Sequence, residues 1–166
     1  MNVASYTQEQ MNTLRKVFHK LNRFMVWMWK MGWGKMINSW PAVVGRIMVI
    51  KHRGRKSGKE YLTPVNYAIV DGEIYCTAGF GSISDWYRNM QANPDIELWL
   101  PEGKRKAHAE DVSDSQNRLF LLRQVLIASG FVAPLFGIDP KKVNDEQLDV
   151  LSKEYRIVHF IMDKEL

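Results

Sequence analysis

Ile47-Met48-Val49-Ile50, followed by Leu62-Thr63-Pro64-Val65-Asn66-Tyr67-Ala68-Ile69-Val70, Asp71-Gly72 and Glu73-Ile74-Tyr75-Cys76-Thr77-Ala78, is the stretch on which the fold turns. β-Branched and aromatic residues fill these runs, as a pleated, half-buried strand favours. Asp71-Gly72 is a residue pair that accepts the positive φ angles of a two-residue hairpin. The order strand, basic connector, strand, hairpin, strand predicts an antiparallel barrel. Downstream, Ile96 to Leu100 and Lys106 to Val112 form a second hairpin around Pro101-Glu102-Gly103, and Arg156 to Ile161 reads as a closing strand.

Helical spacing surrounds this centre. Thr7 and Gln10 make a capping box, after which Met11, Leu14, Phe18, Leu21, Met25 and Met28 recur at helical intervals. A long amphipathic helix is expected there, ending near Gly32-Trp33-Gly34, with a turn at Trp40-Pro41. Its polar face carries Arg15, Lys16, Lys20, Arg23 and Lys30. Ser84 to Met90, closed off by Asn93-Pro94, predicts a short helix, and Ser115 to Ser129 and Asn144 to Lys153 predict two more. The fold class is α+β. One domain is expected over residues 1–166: a helical extension over 1–40, a barrel core over 41–112, and helices with the closing strand over 113–166.

Composition narrows the function. A chain of 166 residues with 46% hydrophobic and 25% charged residues is long enough to bury a core without disulfides. Cys76 is the only cysteine, which excludes an intrachain disulfide and any zinc site built on several cysteines. His19, His52, His108 and His159 fall on different predicted elements without metal-pair spacing, so no metal site is expected and they read as surface or partly buried residues. Cys76, inside a strand, reads as an inert buried thiol. The start of the chain lacks the basic and apolar pattern of a secretory leader, and its longest charge-free apolar run, Phe24 to Trp29, is too short to span a bilayer. A soluble, cytoplasmic protein is expected.

The net charge of +5 is unevenly spread: residues 1–60 hold 12 Lys and Arg against two acids, while the remainder is net acidic. An anionic partner for the first third is implied. Within it, His52-Arg53-Gly54-Arg55-Lys56-Ser57-Gly58-Lys59 combines a planar guanidinium, an ammonium, a hydroxyl and two glycines, which suits a phosphate ester. Walker spacing is absent. The residues by themselves fit a solvated basic loop equally well.

The run Arg46 to Ile50, Gly54 to Gly58, Thr63-Pro64-Val65, Asp71-Gly72, Asp85-Trp86-Tyr87-Arg88-Asn89 and Ala92-Asn93-Pro94 resembles the deazaflavin-dependent nitroreductase family over residues 40–112. That resemblance implies a split β-barrel, related to those that bind flavin mononucleotide (FMN), holding reduced coenzyme F-420 and passing its hydride to an organic acceptor such as a quinone, nitroaromatic or enone. It further implies that Arg55, Lys56, Ser57 and Gly58 take the cofactor's phosphate. Thr63, Pro64 and Val65 would lie along the cofactor, and Thr77, Ala78, Gly79, Trp86, Tyr87 and Asn89 would complete the pocket. Tyr87 is the catalytic candidate, as proton donor to the reduced acceptor, with packing as its other reading. The chain departs from the family pattern at Tyr61 and Phe80, where many members carry a basic residue and a lysine or small residue. Cofactor chemistry needs position and exclusion of water from the protein more than reactive side chains.

Other readings remain beside it. An FMN protein on the same barrel is one, and a non-catalytic module docking on a membrane through the N-terminal helix is another. Trp27, Trp29, Trp33 and Trp40 beside a basic face suit the inner face of an anionic membrane, or else cover the barrel. Aromatic residues are not interleaved with basic ones on a sheet, so nucleic acid is not expected. The glycines of Gly79-Phe80-Gly81-Ser82 admit a ligand close to the backbone, and the apolar segment from Gly130 to Pro140 either covers the acceptor or packs between helices. Oligomeric state is open.

Overall fold

The computed structural model describes residues 20–39, 45–130, 132–135 and 137–163. The predicted capping box at Thr7, the stripe positions Met11, Leu14 and Phe18, the turn at Trp40-Pro41 and the loop residues Phe131 and Phe136 lie outside them. Six antiparallel strands form a closed barrel in the order β1-β2-β3-β6-β5-β4, comprising β1 (Ile47–Arg53), β2 (Glu60–Val70), β3 (Glu73–Ala78), β4 (Asp95–Leu100), β5 (Gly103–Asp111) and β6 (Arg156–Met162). This is the predicted antiparallel barrel.

The helices, in chain order, are α1 over residues 20–30, α2 (Gly34–Ile37), α3 (Asp85–Ala92), α4 (Arg118–Ala128), α5 (Val132–Leu135) and α6 (Asp145–Leu151). The short α5 falls in the segment expected to be a loop. Asn144 caps α6, its side chain accepting from Gln147 N at 2.8 Å while the Gln147 side chain accepts from Asn144 N at 3.1 Å. The break after α1 falls where the glycines predict it: Gly32 takes φ +83°, outside helical geometry, and Gly34 packs against the Trp29 ring so closely that a Cβ would lie 2.4 Å from it.

Alternation along the strands builds the barrel interior. Met48, Ile50, Tyr67, Ile74, Cys76, Leu98, Val158 and Phe160 form one buried cluster. The thiol of Cys76 is fully buried, as expected, and burial raises its pKa. A second cluster joins Leu121, Leu122 and Leu126 of α4 and Leu148 of α6 to Tyr155 and Ile157, with Val70 and Tyr75 packed against it. One side of the barrel is thereby covered. Truncating the fully buried Phe160 to alanine would cost about 3–5 kcal/mol.

β1 runs three residues past its predicted end. Lys51, His52 and Arg53 pair with Leu62, Tyr61 and Glu60, so part of the basic connector is ladder rather than loop. β2 is longer than its neighbour β3, with consequences for the site. Only Tyr67 to Val70 pair with β3, while residues 60–66 pair, among the described residues, with β1 alone. Beyond Cys76, Thr77 and Ala78 pair with Ile157 and Arg156 of β6, so β2 and β3 part there.

Candidate functional site

What is left of the connector between β1 and β2 is a closed turn. Gly54 N donates to Lys59 O and Gly58 N to Gly54 O, both at 2.8 Å. Gly58 has φ +64°, and a Cβ on Gly54 would lie 2.6 Å from Ser57 Oγ and 2.7 Å from the Tyr61 ring. Side chains at these positions would strain or burst the turn.

Two braces hold the turn. On one side, the main-chain N–H of Arg55 donates to Asn89 Oδ1 at 3.1 Å, and its guanidinium Nη1 donates to the same oxygen at 2.8 Å. Nη2 reaches Asp85 Oδ1 at 3.1 Å. Asp85 and Asn89 stand one helical turn apart on α3, which places both on the face turned to the loop. On the other side, the hydroxyls of Ser57 and Tyr61 are 3.3 Å apart, and Ser57 Oγ accepts from Lys59 N at 3.3 Å. Lys56 is exposed at the tip and forms no ion pair among the described residues. The nearby acid Glu60 is paired with Lys51 at 3.0 Å. The tip therefore retains an uncompensated positive charge.

His52 lies beneath the turn, 4% exposed, with Nε2 3.0 Å from Thr63 Oγ1 and Nδ1 3.4 Å from Asn89 Nδ2. Asn89 Oδ1 is fixed as acceptor by its two bonds from Arg55, so its Nδ2 donates and His52 Nδ1 accepts. His52 is then the neutral tautomer with hydrogen on Nε2, donating to Thr63. Burial lowers its pKa to about 4, which agrees with that state. The Tyr61 ring stacks on it at 5.8 Å between centroids and 21° between planes.

The remaining predicted residues separate into two groups. Val65 packs against the barrel interior and Pro64 pairs opposite Val49, while Ala78 is buried and Thr77 half-buried at the end of β3. Gly79 is exposed, with the Tyr155 ring 3.8 Å from where its Cβ would be. Trp86 is half-buried and meets Tyr87 edge-on at 6.3 Å. The structure brings Arg55, Asn89 and Thr63 into one hydrogen-bonded chain through His52. Tyr87 is outside that chain: its hydroxyl donates to Asp111 Oδ2, and Asp111 Oδ1 accepts from Ser113 N at 2.9 Å and from the Ser113 hydroxyl. Burial and the Asp111 hydrogen bond raise the Tyr87 hydroxyl to about 12. Burial pushes the Asp111 carboxyl up, but the bonds from Ser113 and Tyr87 outweigh it and the net shift is downward. Gly81, expected beside a ligand, instead presses on the chain: φ is +58° and a Cβ would lie 2.0 Å from Glu154 O.

The sequence points to no role for Asp111, and it marks His52, Tyr61 and Asp85 only as members of the basic segment, of the departures from the family pattern and of the Asp85 to Asn89 motif, without the contacts they make. A signal for His52 exists in the sequence, since it continues the inward alternation of Met48 and Ile50 and puts a polar ring in the barrel. The i, i+4 pair Asp85 and Asn89 is also visible there, but its partner Arg55 is thirty residues away.

The family whose model is described as F420H(2)-dependent quinone reductase matches residues 21–132, two thirds of the chain and the whole of the turn, β2 edge and α3. The chain belongs to that family. A Mycobacterium tuberculosis protein named as a candidate F420H(2)-dependent quinone reductase, Rv3178, is 31% identical over 77 residues, covering 44% of this chain; the chain spans only 65% of that relative's length. Among solved structures, the conserved protein Rv2991 of M. tuberculosis superposes with a TM-score of 0.53 at 18% identity, over 79% of this chain and 78% of that one. A Listeria innocua protein described as a candidate pyridoxamine 5'-phosphate oxidase gives 0.50 at 9% identity, over 71% and 84%. At such identities the two structures attest the split-barrel fold alone. Family membership accords with the resemblance carried by the Gly54 to Gly58 and Asp85 to Asn89 motifs.

Proposed function

We propose that this quinone reductase family member is an oxidoreductase that binds reduced coenzyme F-420 and passes its hydride to an organic acceptor, a quinone foremost, with nitroaromatics and enones as further acceptors. One observation carries the reading: a glycine-bounded, braced turn with Lys56 exposed at its tip stands at the end of a strand edge, residues 60–66 of β2, that β3 leaves unpaired. A ligand with a phosphate at one end and a flat ring at the other fits that combination. Lys56 and the main chain of Ser57 would hold the phosphate, with Gly58 closing the turn through its bond to Gly54 O, while Arg55 keeps the turn docked on α3. Thr63, Pro64 and Val65 would run along the ring, with Thr77, Ala78 and Gly79 opposite and Trp86 closing one end.

A bound reduced deazaflavin supplies a carbon-bound hydride, a two-electron donor. The chain's part is to orient the ring along β2, keep water from it and neutralise the phosphate charge. Tyr87, whose hydroxyl is spent on Asp111, serves in this reading to anchor α3 rather than to give a proton. Titration with reduced F-420 is the test: saturable micromolar binding that Lys56→Ala weakens about tenfold and added salt weakens further supports it. Absence of binding, or a yellow protein that retains FMN through purification, overturns it.

A second reading concerns where the acceptor comes from. Leu21, Phe24, Trp27, Met31, Trp33 and Met36 are exposed on α1, α2 and the turn between them, Phe24 54% so, beside Lys20, Arg23, Lys30 and Lys35. No helix among the described residues is long and apolar enough to cross a membrane. An aromatic, basic surface of this kind favours peripheral contact with anionic lipid. Vesicle co-sedimentation with and without phosphatidylglycerol tests it; equal recovery with both, or with neither, excludes the electrostatic contact.

A further inference from the structure

The described surface binds its turn to the barrel interior through one buried side chain that none of the family motifs contains. We propose that His52 is a positioning residue for the cofactor site, a neutral imidazole that ties Thr63 on β2 to Asn89 on α3 and so fixes the anion turn relative to the strand edge. The inference rests on the F-420 reading and deepens it.

Three observations support the assignment. The chain of contacts is continuous: Thr63 Oγ1 to His52 at 3.0 Å, His52 to Asn89 at 3.4 Å, Asn89 to the main chain and guanidinium of Arg55 at 3.1 and 2.8 Å, and Arg55 to Asp85 at 3.1 Å. Each member has its donor and acceptor roles set by the next, so the chain has one low-energy arrangement. His52 and Asn89 are both buried, which makes a lost partner costly and the arrangement stiff. Finally, the chain joins two elements that a two-ended ligand must touch at once. The turn meets the phosphate, and Thr63 belongs to the unpaired edge along which the ring would lie.

A ligand held at two points gains from the second point only if the spacing between them is already correct. His52 sets that spacing. Removing it should leave each half of the site able to bind weakly while abolishing the advantage of having both. A residue that merely filled space would, when altered, weaken every ligand alike.

The experiment compares affinities for reduced F-420 and for the same deazaflavin riboside lacking the phosphate, in the full chain, for wild type, His52→Leu, His52→Gln and Asn89→Leu. Wild type should prefer the phosphorylated ligand. His52→Leu should lower that preference about tenfold or more. His52→Gln, which keeps one donor and one acceptor, should restore most of it. If His52→Leu does not fold, Asn89→Leu carries the same test, because it cuts the chain at the link between His52 and Arg55. An undiminished preference in the folded variants overturns the inference while leaving the F-420 reading standing. Failure of wild type to bind either ligand overturns the functional reading, and this inference falls with it.

Discussion

Arg55 meets Asn89 twice, its main-chain N–H and its guanidinium Nη1 converging on the one carboxamide oxygen at 3.1 and 2.8 Å. That pair of hydrogen bonds fastens the anion turn to α3 and dictates the tautomer of His52 behind it. A residue read from sequence as a phosphate ligand thus has much of its donor capacity committed within the protein.

Asn89→Ala removes the acceptor and leaves a main-chain N–H and part of a guanidinium without their partner. A loss of about 1–3 kcal/mol is expected in urea unfolding. Asp85→Ala touches only the exposed end of the guanidinium and should cost well under 1 kcal/mol. Equal losses from the two would contradict the arrangement.

Protonating His52 would place two N–H groups against each other at Asn89. Because its pKa in the fold is about 4, against 6.5 when unfolded, the unfolded chain binds more protons between these values. Stability therefore falls as pH drops from 6.5 to 4, by an amount on the order of 3 kcal/mol, and this contribution is fully present above pH 6.5. Unfolding free energies at pH 7, 5.5 and 4.5 for wild type and His52→Gln check it: the wild-type decline should be the steeper.

Tyr87→Phe separates anchoring from proton transfer. As an anchor to Asp111 the hydroxyl contributes about 1.5–3 kcal/mol, and its loss should lower stability while kcat stays within about tenfold. As a general acid its loss would cost about 100-fold or more in kcat. Steady-state rates with a quinone acceptor, beside a thermal melt, distinguish the two.

Gly81→Ala tests a glycine whose role is packing. With φ +58° and a Cβ position 2.0 Å from the Glu154 carbonyl oxygen, alanine forces the Gly81–Ile83 turn away from the chain before β6. A destabilisation of about 2–4 kcal/mol is expected. Gly72→Ala, where a Cβ meets nothing within 4 Å, incurs only the backbone strain of a positive φ, about 1–2 kcal/mol. Equal melting temperatures for the two would argue against the contact.

The barrel was legible because its cause is local. The β-branched and aromatic run Leu62 to Val70, the Asp71-Gly72 turn and the Pro101 to Gly103 turn each act over a few residues, and the corresponding β2–β3 and β4–β5 hairpins are found where those signals fall. Helices α4 and α6 likewise sit within the predicted spans and α3 runs two residues past its predicted end, the ends differing by one to three residues. The extension of β1 through Arg53 is not legible in the sequence because charged residues there look like loop, whereas pairing with Glu60 to Leu62 makes them strand. Lys51 and Glu60 then meet as a salt bridge across the ladder.

By itself the sequence determined an antiparallel barrel, one inert cysteine, and a glycine-bounded basic turn belonging to a recognisable family. Those depend on period, turn chemistry and motif order, which are properties of neighbouring residues. Which atoms of that turn remain free for a ligand was decided only by the tertiary structure. Arg55 and Asn89, Ser57 and Tyr61, and His52 and Thr63 become partners because α3 packs on β1 and because β2 doubles back along it. The same packing turns Tyr87 toward Asp111 and leaves Lys56 as the exposed charge at the tip. Hydrogen-bond partnership across 34 residues depends on how elements dock, and docking is fixed by the burial of whole faces rather than by any short run of residues.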